Sequence, residues 1–220
     1  MVVAQRATPL HYDEITKIAM NNIVTDYLMA NNTSATVFCE VGVYDWGHCR
    51  LKNEIAAGKT VILVEPLPRC ADDIENHIAN LHNVTVHRVA IADSCGISKI
   101  YDEGQSAFIE LVRGLAPCHA NGYYDSATGR RVMDNEIIQV NTITFDQIDN
   151  GNIDVLLIDT EGCEYFVLKY LKSRPLLIAI ETSHMNYINP YMHEIDDWMR
   201  KNGYAILTKH DADTFYVKDS

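Results

Sequence analysis

The stretch VFCEVGVYDWG, Val37 to Gly47, constrains the fold of this chain more than any other. Val37, Phe38 and Cys39 form an apolar, strand-like run. Glu40 ends it, and Gly42 and Gly47 frame a short turn. The next segment, HCRLKNEIAAG, reads as a helix, with Leu51 and Ile55 one turn apart and Gly58 as its stop. Strand, glycine turn and helix make the first unit of a nucleotide-type binding fold, where glycines let backbone approach a ligand. The following apolar run, TVILVEP, ends at Glu65, which lies 65 − 47 = 18 residues beyond Gly47. In such folds an acidic residue about 20 residues on meets a ribose. A carboxylate there can accept hydrogen bonds from both ribose hydroxyls.

The turn is not a diphosphate site. Gly-x-Gly-x-x-Gly is absent, and Glu40 would repel a diphosphate. An acid at that point suits a cationic ligand, and the amino group of S-adenosylmethionine is positive. The expected cofactor is therefore S-adenosylmethionine; the alternative is a strand–turn–helix with no ligand. Gly42, Tyr44 and Gly47 in the turn, Glu40, and Glu65 with Pro66 form its expected binding set.

A chain of 220 residues is expected to be a single domain, 1–220, with ample core. Lys+Arg 18 against Asp+Glu 30 gives a net charge of −12, which disfavours nucleic acid and anionic membrane as partners. No apolar run is long enough to cross a bilayer, and the start, MVVAQRATPLHYDE, lacks the apolar core of a secretory signal. The 6 Cys show no paired metal spacing and read as reduced, small apolar residues of a cytoplasmic protein.

Residues 12–30 predict a leading helix packed on the sheet, with Ile15, Ala19, Ile23 and Tyr27 recurring every fourth position and NNTS ending it. After the first unit, Pro66 and Pro68 open a second helix with Ala71, Ile74, Ile78 and Leu81 as its buried stripe. VTVHRVAIAD predicts a third strand that runs to Asp93 and lies beside the first. There Ala92 and Asp93 would border the adenine, Asp93 bonding its amine or serving only as a turn residue. ISKIYDE reads as a short extra strand, and EIIQVNTITF as its returning neighbour. Between them, residues 104–135 form an irregular stretch punctuated by Gly104, Gly114, Gly122 and Gly129. Its length points to a lid or specificity insertion, or else a surface loop.

IDVLLID ends a core strand at Asp159, and TEGCEYFVLKYLKS supplies a turn and a helix. PLLIAIETSH is the fifth parallel strand, with Glu181 at its carboxyl end and His184 just beyond. A helix from about Pro190 to Asn202 buries Ile195, Trp198 and Met199 and stops at Gly203. GYAILTKHDADTFYV then reads as two strands whose link is too short for a helical crossover, so they are antiparallel. The fold class is therefore α/β: a Rossmann-like, mostly parallel seven-stranded sheet with a terminal antiparallel hairpin and helices on both faces.

Four stretches, EVGVYDWG, VILVEP, VAIADSCG and IDVLLIDTEGCEYFVL, resemble the FkbM-type methyltransferases, a class I family of S-adenosylmethionine-dependent O-methyltransferases. The last is close to the family's strand ending in Ile-Asp-x-Glu-Gly-x-Glu. The likeness runs roughly from Phe38 to Tyr216. The family usually has Asp at Glu40, often has Asn near Asp45, and has one residue fewer before the second glycine, so Trp46 reads as inserted. The resemblance implies methyl transfer to a hydroxyl of a sugar or other small metabolite.

Methyl transfer from a sulfonium is an in-line displacement, so acceptor oxygen, methyl and sulfur must be aligned and the hydroxyl proton removed. Asp159, Glu161, Glu181 and His184 lie at or just past neighbouring strand ends. His184 alone titrates near neutrality unperturbed, which makes it the first choice of general base; the alternative is a loop histidine bonded to solvent. Asp159 and Glu161 would orient the acceptor or hold the methionine amino group. A divalent metal on these carboxylates and His184 is chemically reasonable, but the spacing assigns none. An NAD-dependent oxidoreductase and a non-catalytic module with this fold are the rival readings. Homo-oligomerisation is left open.

Overall fold

The computed structural model describes residues 23–102, 107–109, 137–184 and 187–219, with the side chains of Phe108, His184 and Tyr187 outside that description. Met1–Ser34 and Ala35–Ser220 are two compact units. In the first, residues 23–30 form helix α1. Asn31 ends it, its side chain and backbone N–H both donating to the Tyr27 carbonyl. The start of the expected leading helix, 12–22, lies outside the described residues.

The second unit opens with β1 (Val37–Val41), helix α2 (Lys52–Ala56) and β2 (Thr60–Val64). Helix α3 (Pro68–Ile78) starts on proline, which needs no N–H partner in the first turn, and buries Cys70, Ala71, Ile74 and Ile78. Leu81, expected in that stripe, is exposed: the helix ends at Ile78 and Leu81 lies beyond its last turn. Strands β3 (Val84–His87), β4 (Ala90–Ile91), β5 (Gly96–Tyr101), β6 (Phe108–Ile109) and β7 (Ile137–Ile143) follow. Then come β8 (Val155–Ile158), helix α4 (Glu164–Lys169) and β9 (Leu177–Glu181). The chain closes with β10 (Ser183–His184), β11 (Tyr187–Ile188), helix α5 (Met192–Lys201), β12 (Tyr204–His210) and β13 (Asp213–Lys218).

The main sheet has seven strands in the order β12-β13-β9-β8-β1-β2-β3. Strands β3, β2, β1, β8 and β9 are parallel, while β13 runs antiparallel to β9 and to β12. The expected class I sheet with its terminal hairpin is what the chain forms. Strand β8 is buried at every position and β9 at all but its last, as central parallel strands covered on both faces require. Gly203, at φ +70, takes the left-handed turn after α5.

One strand differs from expectation. VTVHRVAIAD does not run to Asp93: β3 stops at His87, and it pairs with β2, not with β1. Arg88 is drawn outward onto α3 by Asp72 and Glu75, and Ala90–Ile91 turn away to pair with β7. A second sheet results, in the order β4-β7-β5-β6, with β5 and β7 antiparallel as expected. The stretch expected as a lid or specificity insertion, 104–135, lies outside the described residues apart from 107–109.

Candidate active site

Register places the site. Val41 aligns with Val64 on β2 and with Ile158 on β8, and Ile158 aligns with Ile180 on β9. The residues that follow these strand ends therefore stand in a row along one rim: Glu65, Gly42, Asp159 and Glu181. Strand β13 extends the row, because Asp213 pairs with Glu181.

Glu65 is buried beside the first turn. Its Oε2 accepts the Tyr44 N–H at 2.7 Å and its Oε1 the Leu67 N–H at 2.9 Å. Pro66, between them, has no N–H, so the carboxylate bridges to Leu67. Burial raises the Glu65 carboxyl to about 7, against the pull of the two backbone N–H groups. Each oxygen keeps acceptor capacity, which fits a pair of ribose hydroxyls. Tyr44 reaches its place only through a left-handed backbone, φ 66.

Gly42 has φ +85, and a Cβ on it would lie 1.6 Å from the Asp159 carbonyl oxygen. The close approach that requires glycine is thus to the neighbouring strand end. Gly47 has a milder constraint, 3.0 Å from the Asp45 carboxylate. Trp46, read from the resemblance as inserted, donates its backbone N–H to Asp73 on α3, and its ring stacks on His77 at 5.3 Å.

Glu40 is engaged by a partner the sequence reading missed. Its carboxylate accepts the Arg50 Nε at 2.9 Å and the Arg50 backbone N–H at 3.0 Å, with the Cys49 thiol at 3.6 Å. Burial raises the Glu40 carboxyl while Arg50 holds it down. Arg50 Nη1 also stands 3.9 Å from Asp159 and 3.7 Å from Asp213. Burial opposes the Arg50 charge, but Glu40, Asp213 and Asp159 outweigh it and push the guanidinium further up. The available signal was general: a buried strand acid needs a cation, and Arg50 lies in the turn just before α2, next to buried Leu51.

Asp159, Glu161 and Glu181 come together, with ligand oxygens all within 4.8 Å of one another, a spacing a hard cation can share. Burial first, then Asp159 and Glu161, raise the Glu181 carboxyl to about 11. Glu161 projects from a left-handed backbone, φ 53, and Gly162 follows at φ 104. Glu164 holds this turn: it is fully buried and accepts the N–H groups of Thr160 at 2.8 Å and Gly162 at 3.1 Å. Asn189 donates to its other oxygen.

Asp93 is placed differently. Its carboxylate accepts Lys169 Nζ and the Tyr170 hydroxyl at the end of α4, and Lys169 lowers its pKa. Ala92 is buried, its N–H on the Ile143 carbonyl of β7. The backbone of His184 pairs with Tyr187 in the β10–β11 hairpin, directly past β9. Its ring lies outside the described residues.

This topology and rim accompany a sequence match to the Methyltransferase FkbM domain over residues 29–206. The chain belongs to the FkbM methyltransferases. It is accordingly a methyltransferase that uses S-adenosylmethionine, and the oxidoreductase reading falls away. No curated protein sequence matches this FkbM chain significantly. Among solved structures, it is similar to magnesium protoporphyrin IX methyltransferase (ChlM) from Synechocystis PCC 6803 with bound SAM. The identity is 9%, covering 97% of this chain and 86% of that one, with a TM-score of 0.48. The methyltransferase domain of bacterial-CtHen1-CN matches at 9% identity over 92% of this chain and 98% of its own, TM-score 0.47. Precorrin-6y C5,15-methyltransferase from Geobacter metallireducens GS-15 matches at 11% identity over 99% and 92%, TM-score 0.40.

Proposed function

We propose that this FkbM methyltransferase transfers a methyl group to a hydroxyl of a small metabolite or sugar. The observation that carries the reading is the Asp159, Glu161 and Glu181 cluster at the carboxyl ends of β8 and β9. Glu181, its carboxyl raised to about 11, is neutral and both donates and accepts, and the Asp159 and Glu161 carboxyl oxygens beside it add acceptors, a set that suits a ligand rich in hydroxyls. Bound S-adenosylmethionine supplies a methyl on a positive sulfur. Glu65 binds its ribose hydroxyls, with Tyr44 and Leu67 N–H groups holding the carboxylate in place. Asp159 and Glu161 orient the acceptor hydroxyl or the methionine ammonium. His184, whose backbone follows β9 directly, takes the hydroxyl proton as its oxygen bonds to the methyl carbon and the carbon–sulfur bond breaks.

No described helix is long and apolar enough to cross a membrane. A cytoplasmic location accords with free Cys39, Cys49, Cys70, Cys95 and Cys163, all but Cys95 buried. Cys118 lies outside the described residues. The test of substrate class is transfer of labelled methyl from S-adenosylmethionine to a panel of polyols, sugars, amines and carboxylic acids. Label on a hydroxyl compound is expected. Label confined to amines or acids would refute the O-methylation reading.

A further inference from the structure

Arg50 has an unused face. The residue is 7% exposed, and its Nε is bound to Glu40. Its Nη2 is buried with no hydrogen-bond partner among the described residues. A buried guanidinium N–H without an acceptor is costly, so such a group marks either a missing ligand or a trapped water. Asp213 supplies the complementary orphan: it too is 7% exposed, and its Oδ1 is buried and unbonded, 3.7 Å from Arg50 Nη1. A lone anion would satisfy only the guanidinium and meet the surrounding carboxylates. A lone cation would satisfy only Asp213 and meet the guanidinium. A zwitterion with both charges on one carbon satisfies both.

The position agrees. In the sheet order, β8, which leads to Asp159, lies two strands from β2, which leads to Glu65. That is roughly 10 Å along the rim at the usual strand spacing. A ribose at Glu65 would leave the amino-acid end of the cofactor directed toward Asp159 and Arg50. We infer that Arg50 Nη2 binds the α-carboxylate of the cofactor's methionine end, while Asp213 and Asp159 take its ammonium. This inference rests on the S-adenosylmethionine reading above. It makes Arg50 a ligand-binding residue as well as the counter-ion of Glu40.

Calorimetric titration with two ligands tests it. S-adenosylhomocysteine carries the amino-acid group, and methylthioadenosine shares the adenosyl and sulfur but lacks that group. Arg50→Met should weaken S-adenosylhomocysteine by about tenfold or more while changing methylthioadenosine by less than about threefold. Because Arg50→Met strands the Glu40 charge, Glu40→Gln/Arg50→Gln, which removes both charges, is titrated in parallel, and the same ligand-selective loss is expected. Equal losses for both ligands, or no loss for either, would overturn the Arg50 assignment and leave the cofactor reading intact. Wild-type chain that binds neither ligand would overturn the cofactor reading, and the assignment with it.

Discussion

With Glu65 on the ribose, as proposed, cofactor affinity is expected to depend on pH. The Glu65 carboxyl titrates at about 7 in the cofactor-free chain, because burial disfavours its charge. A protonated carboxyl cannot accept from two ribose hydroxyls as well as from the Tyr44 and Leu67 N–H groups. Binding must therefore release a proton below pH 7, and affinity for S-adenosylhomocysteine should rise from pH 6 to pH 8, by about tenfold. Titration in buffers of different ionisation enthalpy measures the proton; a flat profile would take Glu65 off the ribose. Glu65→Gln should cost about 1.5–3 kcal/mol of binding at pH 8, since an amide turns a donor toward a backbone N–H. His184→Ala carries the proton-transfer proposal. It should retain S-adenosylhomocysteine affinity and lose methyl transfer by about a hundredfold or more. Unchanged turnover would move the base to Asp159 or Glu161.

Two turns set the rim, and each depends on one residue. Gly42 lets the end of β1 lie against the end of β8. Gly42→Ala combines a left-handed backbone with a Cβ only 1.6 Å from the Asp159 carbonyl oxygen. We expect a loss of at least about 3 kcal/mol, read as a lower urea midpoint at unchanged slope, or no folded chain. Stability within about 1 kcal/mol of wild type would mean the two strand ends are not so close. Glu164 performs the same service between β8 and α4. Glu164→Ala leaves the Thr160 and Gly162 N–H groups and the Asn189 amide without their buried acceptor, and should cost about 2–4 kcal/mol. Denaturant titration checks this. The substitution should also lower activity beyond the stability effect, because Glu161 sits on that turn.

The whole chain carries a net charge of −12, and folding gathers Asp159, Glu161 and Glu181 at one rim, with Asp159 and Asp213 both facing Arg50. Glu65 and Asp213 are both raised to about 7, and Glu40, Glu164 and Glu181 shift the same way, burial being the first cause throughout. Folded chain thus holds protons that unfolded chain has released. Cofactor-free stability should fall as pH rises from about 4.5 through 7, the reverse of an acid whose folded pKa is depressed. His87, lowered by burial, opposes this, and so do Glu75, Asp93, Asp154 and Asp197, held down by their hydrogen bonds, at the acidic end of the range. Urea midpoints at pH 5 and pH 8 measure the balance. Glu65→Gln/Asp213→Asn should flatten the slope, and a midpoint that climbs with pH would contradict the buried rim.

Local pattern is strong where one strand or helix decides its own fate. The apolar runs of β1, β2, β8 and β9, the glycine stops after α2 and α5, and the short link before β13 carry the sheet and its hairpin. Glu65 is recognisable because its offset from the first turn is set by one strand–helix–strand unit. Partners brought together from distant segments leave no such spacing. Arg50 meets Asp213, 163 residues away (213 − 50), only because β13 packs beside β9. Asp93 goes to Lys169 because β4 leaves the main sheet, a choice made by pairing with β7. Periodicity cannot distinguish a strand that continues from one that bends into a second sheet, since both show the same apolar run. Side-chain charge is likewise set by burial and neighbours, so Glu40 reads from sequence as an acid facing a ligand and becomes, in the fold, the anchor of Arg50.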